Sequence, residues 1–409
     1  MKRAALVVTI LFALLAFGIG FVGTTAALDI TRPVTSGSNA TVQFVVKDGD
    51  TATDVADNLQ KAGLIHNALV FRAFARFKHL DSALKHGTYN ISPGWTMDQI
   101  IAALEGPPVD EHIAILVPPG LRVTQYSTYL TSKLPKFNAE NFLKIAQSGV
   151  LLDSAKTPLW TKYWFVQKPG SSIKYALEGY LFPDTYYFNK DDDETIVIET
   201  MLNNLGEHLC PGPTKHLNSA DEYFTKKDQC EAHPATVDSK NTSIFSAMEK
   251  AYATKDDVAA LQMALTFASL TVREIKDPKD APGVTNVYYT RYMAILDKTP
   301  NTGGVFNLGS DPTTQYARDS ETPPKDGKWW TPLTQDAKTI ATKDPYNTYV
   351  TDSIPPGPIA APLWADVEAA ATPSISKYFY FIQDCHGVTI YATTLDQHNA
   401  NVDKAASCK

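Results

Sequence analysis

Residues 256–276 read DDVAALQMALTFASLTVREIK and predict one long, buried helix. Thr254 and Asp257 have the spacing of a capping box, which predicts where the helix begins. A helix that is apolar on nearly every side lies inside a protein core, so this segment predicts the centre of a domain. The apolar positions are Val258, Leu261, Ala264, Leu265, Ala268, Leu270 and Val272.

Glu274, near the end of this helix, is a charged residue in a segment that is otherwise suited to burial. A charge carried into a core must be paired or protonated. One interpretation is a structural salt bridge to a neighbouring Lys or Arg. The other is a carboxylic acid that projects into a cleft, where apolar surroundings raise its pKa and suit it to proton transfer. The residues alone leave both interpretations open.

A second segment, residues 177–187, reads LEGYLFPDTYY and places Glu178 beside a glycine in apolar, aromatic surroundings. Burial there would raise the pKa of Glu178 and suit it to proton donation. The structural alternative is that Glu178 pairs with a buried Arg or a backbone amide. Pro183 and Asp184 predict a turn that ends a strand.

Loops rich in aromatic and polar residues recur in the last quarter of the chain. Aromatic faces together with amide and hydroxyl groups suit a sugar polymer, and proline-rich loops hold such groups with little entropy left to lose. Ordinary turn chemistry is the alternative for any one of them. The segments are SDPTTQY (310–316), PYNTY (345–349), IPPGPI (354–359), YFYF (378–381) and His398-Asn399.

The N-terminus predicts a membrane anchor within residues 1–28. Lys2 and Arg3 precede an apolar run, residues 4–22, which is close to the length that spans a bilayer. The basic flank predicts that the start stays in the cytoplasm, so the remainder lies outside it at the plasma membrane as a single-pass protein. A signal peptide cleaved near residues 24–27 is the alternative.

Residues 29–40 are polar and rich in turn formers, and they predict a linker. Residues 41–106 then show a strand, two helical patterns and a second strand, and a strand–turn–helix pattern recurs near residues 89–104 and 113–130. This βααβ order resembles LysM domains, which bind chitin-like or peptidoglycan sugars, although such a pattern is also common in α+β proteins. Residues 107–409 are predicted to form a second α+β domain with a small mixed sheet.

Charge and cysteine content limit the classes of function. The chain carries a net charge of -7 and has no basic block, which argues against nucleic-acid binding. Four cysteines allow three pairings, of which Cys210 with Cys230 and Cys385 with Cys408 are the simplest. Neither a metal site nor a cofactor-binding motif is predicted.

Seven motifs occur in one order over residues 177–402, and together they resemble the YceG-like (MltG-type) family of endolytic murein transglycosylases. With the anchor and the LysM-like module, the resemblance covers most of the chain. The motifs are LEGYLFPDTY, ASLTVREI, SDPTTQYA, PYNTY, SIPPGPI, YFYFIQD and QHNANV.

The resemblance implies an enzyme that cuts nascent peptidoglycan strands between N-acetylmuramic acid and N-acetylglucosamine without water, leaving a 1,6-anhydro end. The catalytic glutamate of the family maps to Glu274. Val272 stands where many members carry a second acid, and Thr290 stands where they tend to carry Asn. Peptidoglycan synthases are the implied partners. Residues assigned to substrate binding or loop support are Glu178, Asp184, Asp311, Gln315, Tyr346 and Asn347.

Two other functions remain open from the sequence. A protein that only binds the cell wall would use the LysM-like module and keep Glu274 for structure. A glycoside hydrolase would need two carboxylates, for instance Glu274 with Glu178 or Asp311.

Overall fold

The computed structural model describes nine stretches of the chain: residues 29–35, 41–47, 49–78, 80, 84–109, 112–211, 226–298, 307–334 and 336–407. The anchor predicted in residues 1–28 lies outside them, as does part of the predicted linker. Within these stretches, no helix combines the length and hydropathy needed to cross a bilayer.

The chain divides into two compact units, Met1–Ala114 with Tyr187–Lys190, and Ile115–Tyr186 with Asp191–Lys409. The boundary expected after residue 106 falls a few residues earlier than this division. Residues 29–31, at the start of the predicted linker, are helical.

The first unit contains a βααβ arrangement followed by a third helix. Its strands pair antiparallel, with Val42 opposite Ile91 and Val46 opposite Gly87. Thr51 and Thr96 begin helices through capping boxes. The order of elements matches the prediction, while the LysM-like identity stays a prediction. The elements are β1 (Val42–Val46), α1 (Ala52–Lys61), α2 (Ala68–Phe77), β2 (Gly87–Ile91) and α3 (Met97–Glu105).

The second unit is mainly helical. Its elements, with the two strands that the division crosses, are β3 (His112–Leu116), α4 (Val123–Thr131), α5 (Ala139–Ser148), α6 (Leu159–Lys162), β4 (Thr185–Asn189), α7 (Glu194–Leu209), α8 (Lys227–Ala232), α9 (Ile244–Tyr252), α10 (Asp257–Glu274), α11 (Ala281–Asp297), α12 (Asp311–Glu321), α13 (Trp364–Ala371), β5 (Tyr380–Gln383), β6 (Thr389–Ala392) and α14 (Leu395–Ala406).

The predicted small mixed sheet is corrected to separate two-stranded sheets among the described strands, β3 with β4 and β5 with β6. In the latter, Tyr380 lies opposite Ala392 and Gln383 opposite Thr389. Only a short turn joins these two strands, and a short turn can connect antiparallel strands but not parallel ones.

Helix α10 occupies the centre of the second unit, as residues 256–276 predict. It packs against α9, α11, α12 and α13. The predicted cap, Thr254, is corrected by two residues: Asp256 caps the helix by accepting hydrogen bonds from the amides of Val258 and Ala259. The helix ends at Glu274 because Ile275 is extended.

Cys210 and Cys230 form a disulfide with their Cα atoms 5.2 Å apart. The bond links the end of α7 to α8. The second expected pair includes Cys408, which lies outside the described residues.

The segment around Glu178 is a series of turns, and its strand, β4, begins only after Asp184. The predicted order of strand and turn is therefore reversed. Gly179 has a φ of +81°, and a β-carbon there would come within 2.5 Å of the Pro358 side chain. This close approach lets the 354–359 loop pack on the Glu178 segment.

Replacing Gly179 with Ala should destabilise the protein by about 2–4 kcal/mol, because it adds both left-handed strain and a clash with Pro358. Urea denaturation of the purified protein measures the effect. Gly170→Ala is the control, because a β-carbon at Gly170 meets nothing within 4 Å. Equal stability of the two variants would contradict the packing described.

Candidate active site

Glu274 opens onto a cleft of about 680 Å³ at the end of α10. The cleft lies wholly within the second unit and is assembled from α10, α11, the start of α12, β5 and α14. Its lining residues are Glu274, Tyr288, Arg291, Asn307, Gly309, Asp311, Lys338, Tyr349, Tyr380, Phe381, Leu395 and His398.

Tyr288 on α11 donates a hydrogen bond of 2.6 Å from its hydroxyl to Oε1 of Glu274. One turn earlier on both helices, the hydroxyls of Thr271 and Thr285 are 2.8 Å apart and buried. This contact fixes how α10 and α11 pass each other. The two threonines therefore set the register that brings Tyr288 to the carboxyl group.

Burial raises the pKa of the Glu274 carboxyl, and this is the largest influence on it. The hydrogen bond from Tyr288 acts in the opposite direction because it stabilises the carboxylate. The negative charge of Asp311 raises the pKa further, whereas Arg291 and Arg273 lower it. No salt bridge joins Glu274 to a cation in the described ranges, so the structure favours the cleft-facing acid over the structural ion pair.

Arg273 precedes Glu274 in the chain but contacts a different region. Its Nη1 donates to the carbonyl oxygen of Gly120 at 3.2 Å. Its guanidinium group lies over the ring of Trp330, 4.3 Å from the centroid. These contacts give Arg273 a structural role, through a carbonyl oxygen and an aromatic ring.

Asp311 is the one residue of the six expected to assist substrate binding that shares the cleft with Glu274. It is exposed, at the first position of α12. The hydroxyl of Tyr349 donates to its Oδ1 at 2.7 Å. This hydrogen bond fixes the direction of the Asp311 carboxylate within the cleft.

Glu178 is buried and bonded within the protein, which fits the structural alternative, while its expected part in substrate binding stays a prediction. Its Oε1 accepts from the amide of Val123 at 2.9 Å and its Oε2 from the hydroxyl of Tyr316 at 3.1 Å. It therefore caps α4, whose preceding residue, Arg122, offers no side-chain acceptor. Burial raises the pKa of Glu178 to about 8, against the opposing effects of Arg122 and these hydrogen bonds.

Asn347 and Tyr346 are also buried, and their contacts support the loops behind the cleft; their expected part in substrate binding stays a prediction. The Asn347 amide donates to the carbonyl oxygens of Ala337 and Ile340 and accepts from Thr314. It thus ties the 337–348 loop to α12, which begins with Asp311. The Tyr346 ring packs against Tyr316, with centroids 4.9 Å apart.

Asp184 and Gln315 lie outside the cleft lining. Asp184 is exposed and accepts from the side-chain amide of Asn204 at 3.0 Å. This contact agrees with the alternative role of holding a loop. Gln315 lies on α12, one turn after Asp311.

Tyr288 and Lys338 line the cleft although their sequence patterns did not single them out, and Tyr349 of the PYNTY segment lines it as well. Tyr288 lies within an unremarkable helical pattern, three positions before Arg291. The spacing would place both on one helix face, which is the signal that was available. In the described residues, no group of three or more His, Cys, Asp or Glu could hold a metal ion.

Known proteins resemble this chain over nearly its whole length. A family model described as the YceG-like family matches residues 44–404. A protein named endolytic murein transglycosylase from Bacillus subtilis is 26% identical over 93% of this chain and 89% of its own length. One of the same name from Streptococcus pneumoniae D39 is 24% identical over 98% of this chain and 64% of its own length. A crystal structure of a yceG-like protein from Listeria monocytogenes aligns with a TM-score of 0.48 and 21% identity, covering 89% of this chain and all of that one.

Replacing Tyr288 with Phe should raise the pKa of Glu274, because it removes the hydroxyl that stabilises the carboxylate. Carboxyl ¹³C NMR, with Glu274 assigned by its absence in Glu274→Gln, measures the shift. Tyr292→Phe on the same helix is the control, since the Tyr292 hydroxyl has no hydrogen bond with the described residues. An unchanged or lower pKa in Tyr288→Phe would show that the hydrogen bond does not act on the carboxylate.

Glu178→Gln should flatten the pH dependence of stability between about pH 4.5 and 8. The folded protein keeps the Glu178 proton to about pH 8, whereas the unfolded chain loses it near 4.5. Raising the pH through this window therefore favours unfolding of the wild type. Urea unfolding at several pH values tests this, with exposed Glu321→Gln as the control. A parallel pH dependence in wild type and Glu178→Gln would contradict the raised pKa.

Proposed function

The chain belongs to the YceG-like family, and on that premise we propose that it is a lytic transglycosylase that cuts peptidoglycan strands internally. The bond cleaved joins N-acetylmuramic acid to N-acetylglucosamine, and the product carries a 1,6-anhydro end. The supporting observation is Glu274, a carboxyl group at the end of a buried helix, open to a cleft and held by Tyr288.

In the first step, protonated Glu274 donates its proton to the glycosidic oxygen. The C1–O bond then breaks, and positive charge builds at C1 and the ring oxygen of the muramyl sugar. Burial favours the neutral carboxylic acid before this step. General acid catalysis of this kind contributes roughly 10²–10⁴-fold to a rate.

In the second step, the Glu274 carboxylate takes the proton of the sugar's own C6 hydroxyl as that oxygen attacks C1. The new C1–O6 bond closes the anhydro ring, and Glu274 recovers the proton that it lost. No water is consumed. Because the nucleophile belongs to the same sugar, its orientation replaces the capture of a water molecule.

Tyr288 suits both steps because its hydrogen bond is stronger to the carboxylate than to the acid. Arg291 and Arg273 also favour the ionised form by charge. The carboxylate formed in the first step is therefore stabilised within the cleft until the second step. Burial and these neighbours have opposite effects on the pKa of the carboxyl group. Neither its protonated nor its ionised form is therefore strongly favoured.

A two-carboxylate hydrolase is the second candidate, and it is favoured by the presence of Asp311 in the same cleft. In that mechanism Asp311 would activate a water molecule or attack C1 itself. The hydrolysed end would be one water heavier than the anhydro end. Binding of the cell wall without catalysis is the third candidate.

The apolar run at residues 4–22 supports a further part of the proposal, namely that the protein is anchored in the plasma membrane with its active site outside the cytoplasm. New strands emerge at that surface, so synthases there are the proposed partners. The βααβ module is proposed to bind the wall. A truncation lacking the anchor that still cut strands at normal positions in cells would contradict the role of anchoring.

Glu274→Gln should reduce cleavage of purified glycan strands by about 10²–10⁴-fold, because the amide cannot donate or accept the required proton. Mass spectrometry of the products measures both rate and chemistry. Anhydro ends from the wild type support transglycosylation, whereas ends one water heavier support the hydrolase.

Glu321→Gln is the matched control and should cleave at the wild-type rate, because Glu321 is exposed at the far end of α12. Cosedimentation with insoluble cell wall separates binding from catalysis. Glu274→Gln should still bind. Full activity of Glu274→Gln would exclude the proposed mechanism.

A further inference from the structure

Arg291 is a cation with little exposed surface and an incomplete set of partners. The residue is 8% exposed, and it lines the cleft with Glu274. Its Nε donates to the carbonyl oxygen of Phe379 at 2.7 Å, and its Nη1 donates to that of Leu308 at 2.6 Å. The remaining nitrogen, Nη2, has no hydrogen-bond partner among the described residues and is not sealed from solvent.

No carboxylate in the described ranges forms an ion pair with Arg291. Carbonyl oxygens satisfy its hydrogen bonds but carry no full charge, and a buried charge without a counter-ion is costly. The charge of Arg291 lowers the pKa of Glu274, but burial, the largest influence, raises it and favours the neutral acid that the proposed first step requires. Asp311 is directed by Tyr349 instead.

The guanidinium group is also held in a fixed orientation. It lies over the rings of Tyr380 and Tyr288, 5.4 and 5.9 Å from their centroids. Together with the carbonyl contacts, these rings restrain the side chain before any ligand arrives. A restrained guanidinium group with its Nη2 donors still open suits a carboxylate oxygen, which accepts a charge-assisted hydrogen bond.

Lys338 adds a second positive charge to the same cleft. It is exposed, and its ammonium group forms no ion pair with the described part of the chain. With Glu274 protonated, the cleft lining therefore holds two cations and one anion, Asp311. The chain as a whole is acidic, with a net charge of -7, so the cleft lining is more positive than the rest of the protein.

We propose that Arg291 and Lys338 bind a carboxylate carried by the lactyl arm of the muramyl sugar next to the scissile bond. This inference rests on the proposed function and names the substrate feature that the cleft recognises. Two sources carry that chemistry: the peptide stem attached to the lactyl group, or the free lactyl carboxylate of a strand without stems. The sugars themselves are uncharged, so the carboxylate distinguishes this polymer from a neutral glycan.

The test measures binding by the full chain with Glu274→Gln, whose amide keeps the neutral charge of the acid and leaves strands intact. Four soluble strands serve as ligands: with peptide stems, without stems, and each of these after methyl esterification of the carboxylates. Esterification should raise Kd about tenfold, because it removes a charge-assisted hydrogen bond. A rise in Kd for strands with stems assigns the carboxylate to the peptide stem. A rise for strands without stems assigns it to the free lactyl group.

Lys338→Gln, made in the Glu274→Gln protein, should raise Kd for the native strand about threefold. The ratio of Kd values between esterified and native strands should become smaller. Lys343→Gln is the control, because Lys343 is also exposed, lies five residues along the chain and does not line the cleft. Lys338 is chosen over Arg291 because its side chain supports no other contact. If esterification leaves Kd unchanged both for strands with peptide stems and for strands without them, the inference is overturned.

Cleavage is measured separately with wild-type protein on the native strands. Absence of anhydro ends would contradict the proposed function, whereas the effect of esterification on binding would still decide the carboxylate site. The two conclusions can therefore fail independently.

Discussion

The hydrogen bond from Tyr288 to Glu274 joins the two helices on which the site depends. It forms at the point where α10 leaves the core and its last side chain reaches the cleft. Deeper burial would leave the carboxyl group permanently neutral, and full exposure would leave it permanently ionised near neutral pH. At the end of a buried helix, with the Tyr288 hydroxyl as one strong donor, the carboxyl group can be either neutral or ionised.

The packing around α10 explains why this position is stable. The buried hydroxyl pair of Thr271 and Thr285 locks α10 against α11 one turn before the Glu274–Tyr288 contact. Ser269, also on α10, accepts a hydrogen bond at 3.0 Å from the amide of Ile359 and so holds the proline-rich loop. That loop packs on Gly179, next to the glutamate that caps α4. The same helix thus orders the Glu274 carboxyl group and the loops behind it.

The sequence predicts much of this arrangement where the deciding interactions are local. Residues 256–276 indicate the buried helix, because apolar periodicity acts within a few residues. Glu274 stands out for the same reason, as a carboxyl group in an apolar helix. The resemblance of seven motifs adds its catalytic role, which apolar periodicity alone leaves open.

Partners that are distant in the chain could not be predicted in this way. Glu178 lies 55 residues from the amide that it caps and 138 from the tyrosine that binds it, and no pattern near Glu178 reveals either contact. Its apolar surroundings resemble those of Glu274, so composition cannot separate a capping carboxyl group from an acid in a cleft. The difference is in what faces each group: protein donors satisfy both oxygens of Glu178, whereas Glu274 has one donor and an open side. A catalytic carboxyl group needs that open side, because the substrate must supply the remaining partner in the proton transfer.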